Sequence, residues 1–477
     1  MSNQLDKYIF SNIDSDSNLS DSVAIAEFQR IANEYSPSEH NGNRLRIHLV
    51  LKSQILVNVL RRLPLEDNLA DKVELYSYTA EDLWSMEVLG IRLGSNPLLD
   101  REPIKSENNS NVHLVIFGNS GQAESLAIHT ALVAHYPNYC RNNSLRTRIT
   151  WVSDNLNDFI YFKQRYNFLL ENSHKRNIST NGNDVNVEHF APKYANERRD
   201  FVDVEWEFVE GTSYTDIISY KLNKWYHDEF QQLTIAFCYD DDNRNINEAL
   251  GLSLKRIGSI PILLKVKNDS SIKFLKTSGA YSHLISIGMS GTPPQSMVDY
   301  IRMGQYVNYA YCKMQNSNDN GDNLTIATEL PTMEELQELW NNPKLTTAKR
   351  WSNIYNAFTL NSKMHSLGIK PNEWERLFAI NDREVNLLAE VEHNRWCVEE
   401  MILGYAPTTT EEHNTILKDI EKREQFKDEF KHDDLRNFTE LGVDNTGKPV
   451  SRYDIGLTRT LPLIVHADYI HKTNKNE

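Results

Sequence analysis

Short runs of hydrophobic residues alternate with amphipathic segments along the first two thirds of the chain. Each run is bounded by polar or glycine-containing residues, which is typical of a buried β-strand, and the segments between several runs have helical spacing. Strands separated by helices predict a parallel sheet with helices on both faces. The predicted strands are RIHLVL (46–51), VELYSY (73–78), VHLVIFG (112–118), RITWVS (148–153), VDVEWEFVEG (202–211), QLTIAFCYDDD (232–242), IPILLKV (260–266) and HLISIG (283–288).

Polar stretches divide the chain into segments. We expect residues 1–20 to be frayed or peripheral, and we interpret the Asn-rich stretch 171–200 as an insertion. The stretch QNSNDNGDN (315–323) predicts a linker, and beyond it the pattern is helical without a convincing strand. The fold class is therefore α/β, a doubly wound parallel sheet followed by an all-α domain. The predicted segments are an N-terminal helical or flexible segment (1–44), a small strand–helix half-domain (45–105), the main α/β domain (106–315), a helical connector (324–384) and a C-terminal domain (385–477).

Composition and charge narrow the classes of function. The 477 residues suggest about three domains, and 51 basic against 66 acidic residues give a formal charge of −15. No dense basic block offsets this charge, so general nucleic-acid binding is not expected. The sequence has no apolar run long enough for a membrane span and no signal peptide, so we expect a cytoplasmic protein. Its cysteines are far apart, without C-x-x-C spacing, and are expected to be reduced core residues: Cys140, Cys238, Cys312 and Cys397.

A glycine-containing turn follows the strand at 112–118. Gly118-Asn119-Ser120-Gly121-Gln122-Ala123 opens a helix, and a helix N-terminus offers free N–H groups and partial positive charge to a phosphate. Gly118 permits the tight turn, but Ser120 stands where a second glycine normally allows a pyrophosphate to approach. Asp154, after the next strand, is the candidate partner for a ribose, although it comes later than the usual spacing of about 20 residues.

This region resembles the RCK-type (TrkA-N-like) nucleotide-binding domains that regulate potassium transport. The resemblance covers roughly 112–300 and implies a Rossmann fold that could bind NAD(P) or an adenine nucleotide. Its candidate cofactor-binding residues are Gly118, Ser120, Gly121, Asp154 and Asp240. Because Ser120 departs from the pattern, a degenerate structural domain without ligand remains the alternative.

The triplet Asp240-Asp241-Asp242 ends a predicted strand on the edge where open α/β sheets bind ligands. It could hold a ribose or a cation. Alternatively, it caps the helix that follows, since acidic residues are favoured at a helix start.

The helix around 385–404 has two different faces. Its predicted core side is Leu387, Val391, Val398, Met401 and Ile402. The other side carries His393, Trp396 and Glu400, with Glu390 and Cys397 at its edge, and Gly404 is placed to end the helix. An indole beside acids and an imidazole suits a pocket for a planar ring, although packing of Trp396 against another helix is the alternative.

LAEVEHNRW (388–396) followed by Gly404-Tyr405 resembles the ryanodine-receptor (RyR) repeat domain. HDDLRNFTEL (432–441) and SRYD (451–454) match its second half, so the resemblance covers about 385–466. Both prolines of the family pattern are replaced, by Asp433 and Asn437, and the acidic loop 408–430 is long.

The RyR resemblance implies a small helical domain linked to adenine-nucleotide binding. Similar prokaryotic domains occur beside RCK-like domains and are suspected sensors of nucleotide signals in defence systems. By resemblance, Trp396 would stack on the base, Glu390, His393 and Asn394 would orient it, and Arg452 would meet a phosphate. The implied ligand-binding residues are Glu390, His393, Asn394, Trp396, Tyr405, Arg452 and Asp454.

The sequence thus favours a non-catalytic, oligomeric sensor of a nucleotide or cyclic nucleotide. The alternatives are an NAD(P)-dependent oxidoreductase or nucleotide-consuming enzyme, a soluble regulatory subunit of a potassium channel, and a structural scaffold. No hydrolase, metalloprotease, Walker or kinase motif is present. His129 and His135 lie six residues apart and do not share a helix face, so no metal site is expected.

Overall fold

The structure is a computed structural model of the chain. It describes residues 6–10, 20–40, 43–93, 96–181, 184–254, 260–277, 279–288, 295–316, 330–342 and 344–474.

The N-terminal part is a small parallel sheet in the strand order β1-β2-β3. Its first strand lies within residues 1–20, whose polar sequence predicts a frayed or peripheral segment without a strand. Asp6–Phe10 nevertheless pairs with the second strand, with Ile9 opposite Leu49. The elements of this part are β1 (Asp6–Phe10), α1 (Asp21–Glu34), a 3-10 helix (Pro37–His40), β2 (Leu45–Leu51), α2 (Gln54–Arg62), α3 (Asp67–Ala70), β3 (Val73–Thr79) and α4 (Ala80–Leu89).

After a short hairpin, the chain builds an eight-stranded sheet. The elements, in chain order, are β4 (Arg92–Leu93), β5 (Asn96–Pro97), β6 (Asn111–Phe117), α5 (Gly121–Val133), α6 (Asn138–Arg141), β7 (Thr147–Ser153), α7 (Leu156–Arg165), α8 (Asn167–Glu171), β8 (His174–Asn181), β9 (Asp184–Phe190), β10 (Val204–Glu210), α9 (Asp216–Tyr226), β11 (Gln231–Phe237), α10 (Asp242–Leu254), β12 (Ile262–Val266), α11 (Ser270–Lys276) and β13 (Leu284–Gly288).

The strand order of the large sheet is β13-β12-β11-β6-β7-β10-β8-β9. Every neighbouring pair is parallel except β8 and β9, which form an antiparallel hairpin within the predicted insertion 171–200. If β6, β7, β10, β11, β12 and β13 are numbered one to six along the chain, they lie in the order 3-2-1-4-5-6. The predicted mixed α/β class with a parallel-dominated sheet is confirmed.

Alternate residues of the strands enter two separate cores. On strand β6, Leu114 and Ile116 face one core, which includes α4, α5 and α7, whereas Val115 and Phe117 face the other, which includes α9, α10 and α11. The sheet is therefore covered by helices on both faces, as predicted.

The last third is helical, with one exception to the sequence analysis. Two short strands, β14 and β15, form a parallel pair where no strand was expected. The elements are α12 (Gln295–Asn316), α13 (Met333–Trp340), α14 (Thr347–Phe358), α15 (Leu360–Ser366), a 3-10 helix (Pro371–Ala379), α16 (Asp382–Ile402), β14 (Ala406–Pro407), α17 (Thr410–Lys418), α18 (Lys422–Asp428), β15 (Lys431–His432), a 3-10 helix (Phe438–Glu440), α19 (Arg452–Arg459) and α20 (Leu461–Asn474). The predicted linker 315–323 lies outside the described residues apart from the end of α12.

The helical part packs directly on both sheets. Trp340, Trp351 and Cys397 belong to the same core as strand β6 and helix α5. Arg61 of α2 lies over the indole of Trp351, 4.0 Å from the ring centroid. Among the described helices, none is long and apolar enough to cross a membrane.

Candidate functional site

Helix α16 has a defined start and end. A capping box between Asn381 and Glu384 begins it, and Gly404, with φ +96°, ends it as the sequence predicted. Val391, Val398 and Met401 are buried as expected and Leu387 and Ile402 are half-buried, but the charged residues that flank this side are buried too: Glu392, Arg395 and Glu399. The predicted division into one core face and one pocket face is therefore only partly correct.

The additional burial is explained by an ionic network. The Lys363 ammonium lies 2.6 Å from one oxygen of Glu392, and Arg395 bridges Glu392 and Glu399 at 2.8 and 2.7 Å. Burial alone would raise the pKa of Glu392, but Arg395 and Lys363 outweigh it and hold that pKa near 2. This network fixes α16 to α15 and keeps one wall of the site rigid.

A cavity of about 630 Å³ lies along the exposed edge of α16. Helices α12 and α14 form one side of it, α18 forms another, and residues 444–457 close the end. Four of the seven residues that the RyR resemblance implied line this cavity: His393, Trp396, Tyr405 and Asp454.

The other three do not line it. Glu390 lies towards α6, where its carboxyl is hydrogen-bonded to Cys140, and burial raises the pKa of this carboxyl. Asn394 is buried, and its amide nitrogen has no partner among the described residues. Arg452 lies behind the wall, where it donates to Asp444 at 2.9 Å and to the Tyr453 hydroxyl at 2.8 Å.

Aromatic rings form one end of the cavity. Trp396 meets the His432 ring edge-to-face, with centroids 5.0 Å apart, and Tyr405 meets the same ring at 6.1 Å. Burial and the charges of Lys427 and Arg423 lower the pKa of His432 to about 3, so this ring is neutral. The His432 ring therefore adds no charge to the aromatic end, which suits a planar heterocycle.

His393 is held through both ring nitrogens. Its Nδ1 is 3.3 Å from an Asp454 oxygen, and its Nε2 is 2.9 Å from the Arg436 carbonyl oxygen. Both partner atoms are oxygens that accept hydrogen bonds from the ring. Burial opposes the charged ring, yet Cys397 and Asp454 raise the pKa of His393 well above its ordinary value.

Cys397, His393 and Asp454 contact one another in the sequence thiol, imidazole, carboxylate, as in a cysteine-based catalytic triad. The Cys397 sulfur is 3.4 Å from His393 Nε2, but it is fully buried and does not line the cavity. Nε2 donates a hydrogen bond to the Arg436 carbonyl oxygen, and a nucleophile must be accessible to its substrate, which the buried sulfur is not. The arrangement therefore holds α16 in place and offers no nucleophile to a ligand.

Sequence reasoning missed the cations at the cavity. Lys349, at the start of α14, and Lys427, on α18, both line it, and neither ammonium group has a hydrogen bond or ion pair with any described residue. Partial burial and the charge of Lys427 lower the pKa of Lys349. The acidic composition of 408–430 concealed Lys427, and no local signal connects it to Lys349, 78 positions earlier in the sequence.

Most acids around the cavity already have cationic partners, so they do not neutralise these lysines. The pairs are Asp433 with Arg436, Asp434 with Arg423, Asp444 with Arg452, Asp454 with His393, and Glu392 with Lys363. Of the remaining acids, Glu424 is exposed and interacts electrostatically with Lys349, and burial and the neighbouring Glu399 raise the pKa of Glu400 to about 8. Among the described residues, two lysines without an ion pair therefore face one such carboxylate, Glu424, at the cavity.

The predicted glycine turn connects the carboxyl end of β6 to the start of α5. Gly118 has φ +115°, and a Cβ there would lie 2.5 Å from the backbone of Cys238. Ser120 is buried and its hydroxyl has no partner among the described residues. A Cβ at Gly121 would lie 3.0 Å from the Glu81 side chain of helix α4. A pyrophosphate at this turn would have to displace Glu81, so the turn does not fit a dinucleotide in this arrangement.

The two predicted carboxylates lie on the same edge but do not converge on the turn. Asp154 pairs with Arg244 at 3.4 Å, and Asp240, whose side chain is 83% exposed, lies 3.7 Å from Lys265. Asp241 accepts from the backbone N–H of Asn243 at 2.8 Å, which is the capping role considered for the triplet.

Within the described ranges, no group of three or more histidine, cysteine or acidic residues could hold a metal ion. Comparison with protein families, with characterised proteins and with solved structures finds no significant match to this chain.

Proposed function

We propose that this protein is a sensor that binds a nucleotide or cyclic nucleotide in the cavity beside α16. The observation that carries the proposal is that one cavity combines an aromatic end, at Trp396 and Tyr405, with the two unpaired ammonium groups of Lys349 and Lys427. Aromatic faces bind nucleobases by stacking, and lysines bind phosphates. The volume lies within the range of small-molecule sites, about 300–1,000 Å³.

The main sheet supports the further proposal that the α/β part of the chain has a Rossmann-type fold. Its strand order, 3-2-1-4-5-6, is that of dinucleotide-binding folds, and the glycine turn follows the first strand. Because Glu81 lies at that turn, we place the ligand in the C-terminal cavity and assign the sheet a structural role. The order of elements α16 to α20 is compatible with an RyR-like domain that carries two additional short strands.

Helix α18 gives the cavity a means of responding to a ligand. It carries Lys427, and none of its residues is buried. Without an anion, Lys427 and Lys349 repel one another across the cavity. A phosphate between them would draw α18 towards α14, and this shift of population would be the signal.

The test is calorimetric titration with ATP, ADP-ribose, NAD, NADPH and cyclic di-, tri- and tetra-adenylates. The variants are Trp396→Ala, Lys427→Met and the matched control Lys418→Met, an exposed lysine on α17 that does not line the cavity. We expect Trp396→Ala to weaken binding about tenfold or more, because stacking contributes about 1–3 kcal/mol per base. Lys427→Met should weaken binding and reduce its salt dependence, whereas Lys418→Met should change neither.

Two outcomes would reject this proposal. One is that the wild type binds none of these compounds. The other is that binding is unaffected by Trp396→Ala and Lys427→Met while circular dichroism shows that both variants are folded.

A further inference from the structure

Glu400 is the polar group best placed to read a base that stacks on Trp396. The two residues are one turn apart on α16, a spacing that puts their side chains side by side, and both line the cavity. The Glu400 carboxyl has no hydrogen bond or ion pair with any residue in the described part of the chain, unlike most other acids around the cavity. It is half-buried, so a ligand can reach it.

We propose that Glu400 sets the base preference of the site, accepting adenine as a neutral carboxylic acid and favouring guanine as a carboxylate. This inference rests on the proposed function, since it requires a nucleotide in the cavity. It assigns a specificity-determining residue that the resemblance to RyR domains did not indicate.

The chemistry follows from the hydrogen-bonding groups. A neutral carboxylic acid presents one donor and one acceptor, which match the ring nitrogen and amino group of adenine. A carboxylate presents only acceptors, which match the adjacent N1–H and N2–H donors of guanine and oppose the ring-nitrogen acceptor of adenine. Deprotonation of Glu400 therefore changes the preference of the site from adenine to guanine.

The charged groups around Glu400 favour the neutral acid at neutral pH. Burial is the main cause and the adjacent carboxylate of Glu399 adds to it, while Lys427 on α18 and Arg395 on α16 act in the opposite direction. Together they raise the pKa of Glu400 to about 8. Tyr405 also faces it, and Glu400 contributes to the raised pKa of that phenol. Arg395 is engaged with Glu392 and Glu399, which limits its effect on Glu400.

The sign of the pH dependence is fixed by this chemistry. Adenine binding needs the protonated form, so it is strongest below pH 8 and weakens as the pH rises through that value. Between pH 7 and pH 9 the neutral fraction of a group with a pKa of about 8 falls about tenfold, and the affinity for adenine should fall by the same factor. The affinity for guanine relative to that for adenine should rise.

The experiment measures the affinities of cyclic di-AMP and cyclic di-GMP, and of ATP and GTP, at pH 7 and pH 9. Cyclic dinucleotides have phosphodiesters whose charge does not change over this interval. The matched variant is Glu400→Gln, whose amide keeps one donor and one acceptor but cannot titrate. We expect it to bind adenine compounds with the wild-type affinity at pH 7 and with little change at pH 9. Glu400→Ala should lose the preference between adenine and guanine at both values.

Failure of this inference is distinguishable from failure of the proposed function. If the wild type binds none of the four compounds at either pH, both are rejected. If it binds them but Glu400→Gln shows the same pH dependence, or if the adenine-to-guanine ratio is unchanged in Glu400→Ala, only the role of Glu400 is rejected. Circular dichroism at both pH values confirms that each variant is folded.

Discussion

The side chain of Glu81 lies against Gly121, at the first turn of helix α5. A Cβ at Gly121 would lie 3.0 Å from the Glu81 Cγ and 3.5 Å from one carboxyl oxygen. The first turn of a helix favours a negative group, and here the carboxyl that lies beside it belongs to helix α4 of the same chain. Burial raises the pKa of Glu81, which agrees with its enclosed position. Helix α4, which follows the small N-terminal sheet, therefore occupies the place where a dinucleotide-binding fold normally receives a pyrophosphate.

We expect Glu81→Ala to open this place. Made in a Trp396→Ala background, it should give measurable binding of NAD where the parent has none, because removal of the side chain opens space beside Gly121 at the N-terminus of α5. It should also destabilise the fold by about 0.3–1 kcal/mol, because Glu81 lies in the first turn of α4, where a carboxylate interacts favourably with the helix dipole. Glu81→Gln keeps the side-chain volume and should leave the turn closed. Equal NAD binding by the parent and by both Glu81 variants, in calorimetry, would contradict the blocking role.

Gly118 is required for a close approach between two strands. Its φ of +115° is unfavourable for other residues, and a Cβ would lie 2.5 Å from the carbonyl carbon and oxygen of Cys238. We expect Gly118→Ala to lower the free energy of unfolding by about 3 kcal/mol or more. Gly447→Ala is the control: φ is +78°, but no atom lies within 4 Å of the added carbon. It should cost only about 1 kcal/mol. Equal losses in urea denaturation would show that backbone strain alone, without the clash, sets the cost.

The sequence could predict the elements whose signals are local. The strands β6, β7, β10, β11, β12 and β13 are apolar runs, whereas the polar β8 and β9 lie in the predicted insertion and were not predicted as strands. Gly404 marks the end of α16 by its conformational freedom. Strand β1 was missed because DKYIF is a short run in a polar region and becomes a strand only by pairing with β2. Prediction of the site from the sequence was limited for the same reason. Trp396 and Tyr405 stand in a recognisable local pattern, whereas Lys349, Lys427 and Glu81 reach their positions only through packing between distant segments.

Glu392 should make the protein sensitive to acid. Burial opposes its charge, but Arg395 and Lys363 hold its pKa near 2, below the ordinary 4.5. Because the pKa is lower in the folded state, the stabilisation is complete above about pH 4.5 and is lost as the pH falls towards 2. The difference between a pKa of 4.5 and one of about 2 corresponds to about 3 kcal/mol of folding free energy.

Glu392→Gln tests this contribution. It should lower the free energy of unfolding by about 3 kcal/mol at pH 7, and the difference from wild type should shrink as the pH falls from 4.5 towards 2. The exposed Glu375→Gln serves as the control and should leave the pH profile of stability unchanged. A Glu392→Gln profile parallel to that of the wild type in denaturant titrations would argue against a charged Glu392.

The pair formed by His393 and Asp454 should keep the imidazole protonated at neutral pH. His393 Nδ1 lies 3.3 Å from the Asp454 carboxylate and Nε2 donates to the Arg436 carbonyl, so both nitrogens carry protons. The pKa of His393 is raised, so this charged form stabilises the fold fully below the unfolded value of about 6.5 and loses its effect as the pH rises through the folded pKa.

Nitrogen-15 NMR of the ring at pH 7.5 should show two protonated nitrogens in the wild type. Asp454→Asn should lower the pKa of His393, because it removes one of the two residues that raise it, and should increase the fraction of neutral ring at the same pH. Asp444→Asn removes a cavity acid that pairs with Arg452 instead, and it should leave the ring doubly protonated. A neutral His393 in the wild type would show that burial, rather than Asp454, determines its charge.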